Sequence, residues 1–370
     1  MNGTLAVARL ERLREACAVR HLDAFFVRDL SNIRWLTAFD DVFDDEDAHA
    51  LLVNSDKAVL HTDSRYAEAA LRAAVDTPFI IDQGRQTHAA FATHTLVDSC
   101  EVTLGIEDTL MLGEYRVLEA ACAEAPSLLQ LNETSGFVRT LRAVKDATEI
   151  ARLKAAQVIT DTAFAHIVGF MKPGMTERMV QIELEDFMRR HGAEGLAFPS
   201  IVATGANAAS PHAIPGDTPL EAGQCVVLDF GARARGYCSD MTRMVFLGQP
   251  DLRMNDAYET IRRANETVQA ALKPGVTGAA LHELAEQVLV ESGFAGKMGH
   301  SLGHGVGIDI HEEPNLSPRN HQPLVEGNVV TVEPGIYLPG EFGMRLEDFG
   351  VLTHEGFAVF TESTHDMVII

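Results

Sequence analysis

The chain has 370 residues, enough for two domains of ordinary size. Its formal net charge of -23 disfavours binding to nucleic acid or to an anionic membrane surface, because both carry charge of the same sign. No run of about 18 apolar residues occurs, so no transmembrane helix is predicted. The N-terminus lacks the apolar core of a secretion signal and the five cysteines are irregularly spaced, so we expect a cytoplasmic protein without a disulfide framework.

The first 138 residues alternate short apolar runs with helical stretches. Apolar residues recur at helical spacing over 5–19, and an alanine-rich stretch predicts a helix over 66–74. Strands are predicted at 24–27, 51–53, 58–61, 79–81, 102–106 and 128–131. Alternating strands and helices are typical of a layered α/β domain.

Residues 139–370 have a different pattern, in which helices and strands come in separate runs. Helices are predicted at 147–171, 177–191, 255–272 and 279–292, and strands at 226–230, 244–247, 329–337 and 344–352. Separate runs of this kind indicate an α+β domain. We therefore expect two domains, 1–138 and 139–370.

Two aspartates lie at the ends of an expected hairpin in the second domain. Asp229 ends an apolar strand and Asp240 follows eleven residues later. A turn centred between Ala234 and Arg235 would place the two carboxylates directly opposite each other, with Cβ atoms about 5 Å apart. A bound divalent cation would remove their repulsion, whereas the alternative is a turn cap and a surface ion pair with a nearby arginine.

Two glutamates repeat this arrangement further along the chain. Glu333 follows an apolar strand and precedes Pro334, and Glu347 lies beyond a loop that contains Pro339 and Gly340. A second hairpin is therefore predicted. The alternative of a solvated glutamate on an edge strand is weakened by the apolar sequence around Glu333.

His304 stands between two glycines, which disfavour a regular helix and allow close approach of the backbone. His300 and His304 are therefore not expected to form a helical zinc pair. The glycine spacing also differs from that of a dinucleotide-binding loop. Four carboxylates and one imidazole make a chemically sensible site for two divalent ions.

These segments resemble the proline-specific members of the pita-bread metallopeptidases, namely aminopeptidase P and Xaa-Pro dipeptidase (prolidase). The resemblance rests on residues 228–231, 236–243, 303–312, 332–337 and 345–348, in the family's order and spacing, and it extends through 32–37, 63–66 and 141–150 to nearly the whole chain. It implies an α+β fold, in which a pita-bread (creatinase/aminopeptidase-like) catalytic domain follows a smaller layered α/β domain of the creatinase N-terminal type.

The same resemblance implies the function of individual residues. The metal ligands would be Asp229, Asp240, His304, Glu333 and Glu347, with Asp240 and Glu347 bridging two divalent ions per subunit. Glu333 would also carry a proton, and His212 would sit at the substrate. His300 and His311 would hydrogen-bond the substrate carbonyl or carboxylate and the tetrahedral intermediate, and Arg345 would support or gate the site. Manganese is the first expectation for the ions, with cobalt or zinc as alternatives.

The implied activity is hydrolysis of the Xaa-Pro peptide bond by a water that bridges the two ions. The implied substrate is a small peptide with proline at the second position, and family members are commonly homodimers. Dipeptidase and aminopeptidase activity are equally compatible with these residues. The alternatives are a hydrolase or lyase of the same fold that acts on a non-peptide substrate, and a non-catalytic binding module.

Overall fold

The protein is described here by a computed structural model, which covers residues 2–44, 46–97 and 101–370. The chain divides into two compact units, Met1–Arg142 and Ala143–Ile370. The division therefore falls slightly C-terminal of the boundary expected after residue 138. None of the helices in the described ranges is long and apolar enough to cross a membrane.

The N-terminal unit is built around a mixed sheet with the strand order β4-β3-β2-β1-β5-β6. The strands are β1 (Ala24–Val27), β2 (Ala50–Asn54), β3 (Ala58–His61), β4 (Phe79–Asp82), β5 (Glu101–Glu107) and β6 (Leu128–Thr134). The helices are α1 (Asn2–Val19), α2 (Leu30–Thr37), α3 (Ala67–Ala73), α4 (His88–Thr95), α5 (Leu112–Glu124) and α6 (Phe137–Arg142). The predicted layered α/β domain is confirmed.

Short-range hydrogen bonds close one hairpin of this sheet. The Asn54 side chain accepts hydrogen bonds from the backbone N–H groups of Asp56 and Lys57, which closes the turn between the antiparallel strands β2 and β3. The β1–β5 and β5–β6 pairs are parallel, with α5 between β5 and β6. Phe26, Leu52 and other apolar side chains of this sheet pack on α4 and α5 to form one core.

The C-terminal unit has four long helices and several antiparallel ladders. The helices are α7 (Ala147–Phe170), α8 (Glu177–Arg190), α9 (Leu252–Ala271) and α10 (Gly278–Glu291), with a 3-10 helix at Gly205–Ala209. The strands of the first half are β7 (Gly195–Leu196), β8 (Ile201–Thr204), β9 (Cys225–Phe230), β10 (Ala232–Ala234), β11 (Tyr237–Cys238) and β12 (Met241–Phe246). The remaining strands are β13 (Gly303–Gly305), β14 (Glu312–Leu316), β15 (Val329–Val332), β16 (Gly335–Leu338), β17 (Phe342–Arg345), β18 (Asp348–Thr353), β19 (Gly356–Val359) and β20 (Val368–Ile369).

The sheet β20-β12-β9-β8 is covered by helices on both faces. Val226 and Leu228 pack with side chains of α7 and α8, while Cys225 and Val227 pack with side chains of α9 and α10. Because alternate side chains of β9 enter different cores, the strand reads as a continuous apolar run. The predicted α+β architecture is confirmed. Polar side chains follow or end its apolar strands.

A second sheet, β14-β13-β15-β18-β19, packs on the helices α9 and α10. Val330 and Val332 of β15 and Leu352 of β18 join Val268 of α9 and Leu281 of α10 in one buried cluster. The polar side chains described below lie on or next to these well-packed strands, namely β9, β12, β13, β15 and β18. Such elements hold side chains at fixed separations, which a coordination site requires.

Candidate metal centre

The hairpin that carries Asp229 and Asp240 has a different register from the predicted one. β9 pairs with β12 so that Asp229 lies opposite Thr242. The expectation of Asp229 directly opposite Asp240, with a turn centred between Ala234 and Arg235, is wrong. Asp240 instead lies diagonally across from Asp229, two residues before Thr242.

The turn itself explains the shift in register. Ala234 pairs with Tyr237, so the two-residue loop consists of Arg235 and Gly236. Both loop residues have positive φ, 52° and 75°, as in the tight hairpin turns that match the twist of the strands. The glycine occupies the second position of this turn, so the centre of the hairpin moves one residue toward the C-terminus.

The second predicted hairpin is present and brings Glu333 and Glu347 together. Val332 pairs with Asp348, and further along the same hairpin Gly335 pairs with Arg345. The β15–β18 and β16–β17 pairs share one register, and Glu333 and Glu347 occupy facing positions between them. Pro334 has no N–H to donate, which interrupts the ladder there and splits the strands predicted at 329–337 and 344–352.

His304 lies at the centre of the short strand β13, between the two glycines Gly303 and Gly305 that form its ends. A Cβ atom on Gly303 would overlap with the carbonyl oxygen of Thr331 on β15. The absence of side chains at the two glycines therefore allows β13 to lie close against its neighbours. The backbone N–H of His304 donates to Thr331 Oγ1 at 3.0 Å, which fixes the position of the histidine.

The imidazole of His304 is oriented to act as a ligand. Its Nδ1 lies 3.0 Å from the carbonyl oxygen of Gly305, and because a carbonyl can only accept, Nδ1 carries the proton. Burial lowers the pKa of His304 to about 4, so the ring is neutral at physiological pH. The lone pair on Nε2 then faces Asp240 Oδ2 and Glu333 Oε1, each 3.5 Å away.

The carboxylates around His304 are buried and repel one another. One ligand atom each from Asp240, His304 and Glu347 lie within 4.8 Å of one another. Burial, together with the charges of Glu347 and Asp229, raises the pKa of Asp240, and burial with the charges of Glu333 and Asp229 raises that of Glu347. Such a group of anions is unfavourable unless a cation compensates it.

The donor set fits divalent cations. It offers four carboxylates and one neutral imidazole, a combination that suits manganese, cobalt or zinc. Asp229 supports this assignment, since its Oδ2 accepts from Arg345 Nη2 while its Oδ1 is buried without a hydrogen-bond partner among the described residues. A buried carboxylate oxygen that lacks a donor and lies in an acidic cluster is suited to coordinate a metal ion.

Arg345 holds residues of the candidate metal centre in place, and each of its three guanidinium nitrogens donates a hydrogen bond within the protein. Its Nε donates to Thr242 Oγ1 at 3.1 Å and its Nη1 to Tyr337 Oη at 2.5 Å, while Nη2 binds Asp229. Thr242 in turn donates to Glu347 Oε2 at 2.7 Å. The guanidinium thereby fixes ligands that come from two different sheets.

Tyr337, which the sequence analysis did not single out, connects Arg345 to His300. His300 Nδ1 lies 2.7 Å from the carbonyl oxygen of Ser301 and therefore carries a proton, and Nε2 lies 3.0 Å from Tyr337 Oη. Burial lowers the pKa of His300 to about 4. Both ring nitrogens of this neutral histidine thus have partners within the protein.

His212 and His311 differ from His300 because their rings make no hydrogen bond with the described residues and their side chains are exposed to the cavity. The ring of His311 lies 4.4 Å from that of His304, edge to face. Burial and the nearby His212 lower the pKa of His311, so the neutral ring can donate one hydrogen bond and accept another.

The centre lies in a cavity of about 770 Å³. All five candidate ligands line it, as do His212, His300, His311 and Arg345. The wall beside them is apolar and is formed by Phe198, Pro199, Ile201, Ala213, Ile214 and Pro215. An apolar wall next to a few polar groups is typical of a small-molecule site.

Glu177 organises the segment that carries His212. This carboxylate, at the start of α8, is fully buried and accepts hydrogen bonds from the Thr204 N–H at 2.9 Å and from the Gly216 N–H at 3.0 Å. It also accepts from the side-chain amide of Asn207 at 2.9 Å. The two ends of the 205–216 segment are therefore attached to one side chain, which nothing in the sequence pattern indicated.

We expect Glu177→Ala to lower the free energy of unfolding by about 3 kcal/mol or more, because it leaves several buried N–H groups without an acceptor. Urea denaturation of the manganese-loaded protein measures this loss. Glu183→Ala on the same helix is the control, because the half-exposed pair of Glu183 with His166 contributes at most about 1 kcal/mol. A loss for Glu177→Ala no larger than that of the control would contradict the role given to Glu177.

Sequence and structure comparisons identify the class to which this centre belongs. The model of metallopeptidase family M24 matches residues 151–354, and that of the Creatinase/Prolidase N-terminal domain matches residues 9–144. The chain belongs to metallopeptidase family M24. The predicted resemblance is thereby confirmed, and the protein is a metal-dependent hydrolase of the exopeptidase class.

Individual relatives are similar over most or all of their length. The chain is 37% identical over 367 residues to an uncharacterized peptidase, YqhT, of Bacillus subtilis, covering 98% of this chain and 100% of the relative. It is 35% identical over 266 residues to the Xaa-Pro dipeptidase of Pyrococcus furiosus, covering 72% and 75%.

Solved structures show the same similarity. A Xaa-Pro dipeptidase from Bacillus anthracis superposes with a TM-score of 0.92 at 36% identity, covering 99% of this chain and 100% of that one. An X-Pro aminopeptidase from Thermotoga maritima superposes with a TM-score of 0.86 at 33% identity, covering 98% and 100%. These comparisons confirm the predicted two-domain pita-bread architecture.

Proposed function

We propose that this protein is a two-metal exopeptidase that hydrolyses the bond between a first residue and a proline at the second position of short peptides. The observation that carries the proposal is the cluster of Asp240, His304 and Glu347, whose ligand atoms lie within 4.8 Å of one another beside an apolar cavity. The names of the relatives, which include both Xaa-Pro dipeptidases and an X-Pro aminopeptidase, support the choice of substrate.

The proposed ligands are Asp229, Asp240, His304, Glu333 and Glu347. Asp240 and Glu347 are the proposed bridging residues, a role supported by their burial and by the charges that surround them. Divalent ions bound here would polarise the scissile carbonyl and lower the pKa of a coordinated water.

Glu333 is the proposed proton carrier. Burial and the charge of Asp229 raise its pKa to about 8, although Arg345 opposes the shift. That value belongs to the metal-free protein, and bound ions would favour the ionised carboxylate, which can accept a proton and later release it. Glu333 would accept a proton as the nucleophile forms and deliver it to the proline nitrogen as the bond breaks.

His212 and His311 are the proposed donors to the substrate carbonyl, because their ring nitrogens have no partner among the described residues and face the cavity. A hydrogen bond that strengthens as charge develops on that oxygen stabilises the transition state. His300 is proposed to contact the substrate with its ring, while its nitrogens hold Tyr337 and Ser301.

Proline at the second position explains why this chemistry is needed. The Xaa-Pro bond is a tertiary amide without an N–H, so a peptidase that recognises that N–H cannot bind it. The leaving ring nitrogen must be protonated as it departs. A carboxyl group placed to carry a proton, next to an apolar wall that can contact a pyrrolidine ring, meets both requirements.

A hydrolysis assay in the presence of manganese tests the proposal. Xaa-Pro dipeptides and Xaa-Pro-Xaa tripeptides are incubated with the protein and the products are identified by mass. Cleavage of dipeptides alone would define a dipeptidase, and cleavage of the longer peptides an aminopeptidase. Cleavage of neither, with manganese bound, would refute the proposed substrate class.

The two histidines of the centre are expected to differ when mutated. His304→Ala should lower manganese affinity by about 10-fold or more, because it removes a ligand. His311→Ala should retain the metal and lower kcat by about 100-fold, because it removes a donor to the developing oxyanion. Calorimetric titration with manganese and steady-state kinetics measure the two effects, and equal loss of metal in both variants would contradict the separate roles.

The proposal extends to manganese as the physiological ion, to a homodimer and to a cytoplasmic location. The oxygen-rich donor set supports manganese, since carboxylates and water suit that ion. Metal analysis of protein purified from its own cells tests the first point. Light scattering of the purified protein and cell fractionation test the other two.

A further inference from the structure

The cavity contains one guanidinium group that the metal centre does not use. Of the described residues that line it, Arg178 and Arg345 are the two arginines. Arg345 is buried, and its nitrogens already bind Asp229, Thr242 and Tyr337. The side chain of Arg178 is 56% exposed and its Nε lies 3.5 Å from Asp217 Oδ1, while its two Nη atoms make no hydrogen bond with the described residues. Arg178 is therefore free to bind a ligand.

The backbone of Arg178 is held rigidly at the first turn of α8. Its N–H donates to the carbonyl oxygen of Gly216 at 3.0 Å, directly after the buried Glu177. A long side chain that extends from a fixed backbone position loses less entropy on binding than one on a mobile loop.

Arg178 lines the same cavity as the candidate metal ligands. Gln181 follows three residues later, on the same face of the helix, and also lines the cavity. Its Nε2 donates to the carbonyl oxygen of Ser200 at 3.3 Å. The next residue, Ile201, lies opposite the ligand Asp229 in the β8–β9 ladder. Arg178 and the candidate ligands therefore line one cavity, and the elements that carry Arg178 and Asp229 are connected through Gln181 and β8.

A cation in this position has a chemical use. The chain has a net charge of -23, so an anionic substrate meets a repulsive long-range field even where bound ions would offset the four carboxylates of the cavity. A guanidinium offsets that repulsion and can bind a carboxylate through two parallel hydrogen bonds. Asp217 is 89% exposed, and an exposed pair of this kind contributes little, so it does not prevent Arg178 from binding another carboxylate.

We propose that Arg178 is a specificity-determining residue that binds a carboxylate of the peptide substrate. The inference rests on the proposed function. The carboxylate has two sources, the free C-terminus of a short peptide and the side chain of an acidic first residue. Both present the same planar anion to the guanidinium, and matched neutral substrates separate them.

The test compares Arg178→Gln with the wild type on pairs of substrates that differ by one charge. Ala-Pro and Ala-Pro-Ala are each used as free acids and as amides, and Glu-Pro-amide is compared with Gln-Pro-amide. We expect Arg178→Gln to lower kcat/KM by about 10- to 100-fold for the charged member of at least one pair, so that the charged-to-neutral ratio falls toward one. The pair in which this occurs identifies the source of the carboxylate.

Two further variants test whether the effect is specific to the Arg178 guanidinium. Arg189→Gln lies on the exposed part of the same helix, outside the cavity, and should leave every ratio unchanged. Asp217→Asn removes the competing carboxylate and should raise kcat/KM for the charged substrates. An equal decrease for charged and neutral substrates in Arg178→Gln, or no decrease in any pair, would overturn the proposal.

Equilibrium binding distinguishes this proposal from the proposed function. The same peptide pairs are titrated into the manganese-loaded wild type and Arg178→Gln and followed by calorimetry. A wild type that binds the charged member more tightly, loses that preference in Arg178→Gln and hydrolyses none of the peptides would refute the proposed function while supporting Arg178. A wild type that hydrolyses the peptides with the same kcat/KM for both members of every pair would refute Arg178 alone.

Discussion

Replacing Asp240 or Glu347 with alanine is expected to reduce turnover of a Xaa-Pro peptide by at least about 1000-fold, the equivalent of about 4 kcal/mol of transition-state stabilisation. Each change removes a proposed bridging ligand from a cluster whose ligand atoms lie within 4.8 Å of one another. Steady-state kinetics at saturating manganese measure the loss, and calorimetry counts the ions that remain bound.

The control for this prediction is Glu355→Ala, an exposed carboxylate of the same unit outside the cavity, which should retain wild-type kinetics. Circular dichroism verifies that each variant is folded. Near-wild-type activity of either Asp240→Ala or Glu347→Ala would refute the dinuclear assignment.

Removal of the metal ions is expected to destabilise the C-terminal unit. At a free manganese concentration 100 times the Kd, one bound ion contributes about 2.7 kcal/mol. For a unit of this size that corresponds to a decrease in Tm of about 5–10 °C per ion on chelation. Differential scanning calorimetry with and without chelator measures the shift, and an unchanged Tm would show that the carboxylates do not hold a stabilising cation.

The size of this destabilisation should increase with pH. In the metal-free protein the pKa of Glu333 is raised from 4.5 to about 8. A group with a raised pKa contributes stability that is fully present below pH 4.5 and is lost as the pH rises through 8, because the folded state holds the proton more tightly. Bound ions favour the ionised form. The decrease in Tm on chelation should therefore be larger at pH 8 than at pH 6, and the opposite order would contradict this linkage.

The sequence predicted the elements of the fold better than it predicted their register. β9 was recognisable because both of its faces are buried and its sequence is continuously apolar. The pairing of Asp229 with Thr242 depends on the backbone angles of Arg235 and Gly236. Moving the turn centre by one residue shifts each cross-strand partner by two residues, which leaves the same side chains on each face of the hairpin. The apolar pattern therefore does not distinguish the two registers, and the turn geometry decides between them.

Local patterns in the sequence indicated some of the proposed ligands, and the family resemblance supplied the full set. An acidic side chain at the end of an apolar strand and a histidine between glycines are unusual, as Glu333 and His304 illustrate. Tyr337, Thr242 and Glu177 carry no such pattern. Their roles arise from contacts across long separations in the chain, such as the 105 residues between Thr242 and Glu347, and become visible only in the folded structure.

That long separation also has a consequence for synthesis of the protein. Thr242 and Glu347 are 105 residues apart, and at typical rates of translation that length takes about 5–20 s to produce. The acidic hairpin of β9 and β12 therefore leaves the ribosome well before Glu347 has been synthesised. During that interval the nascent chain has two carboxylates but no complete coordination site, so loading with metal must follow the emergence of the last ligand strand.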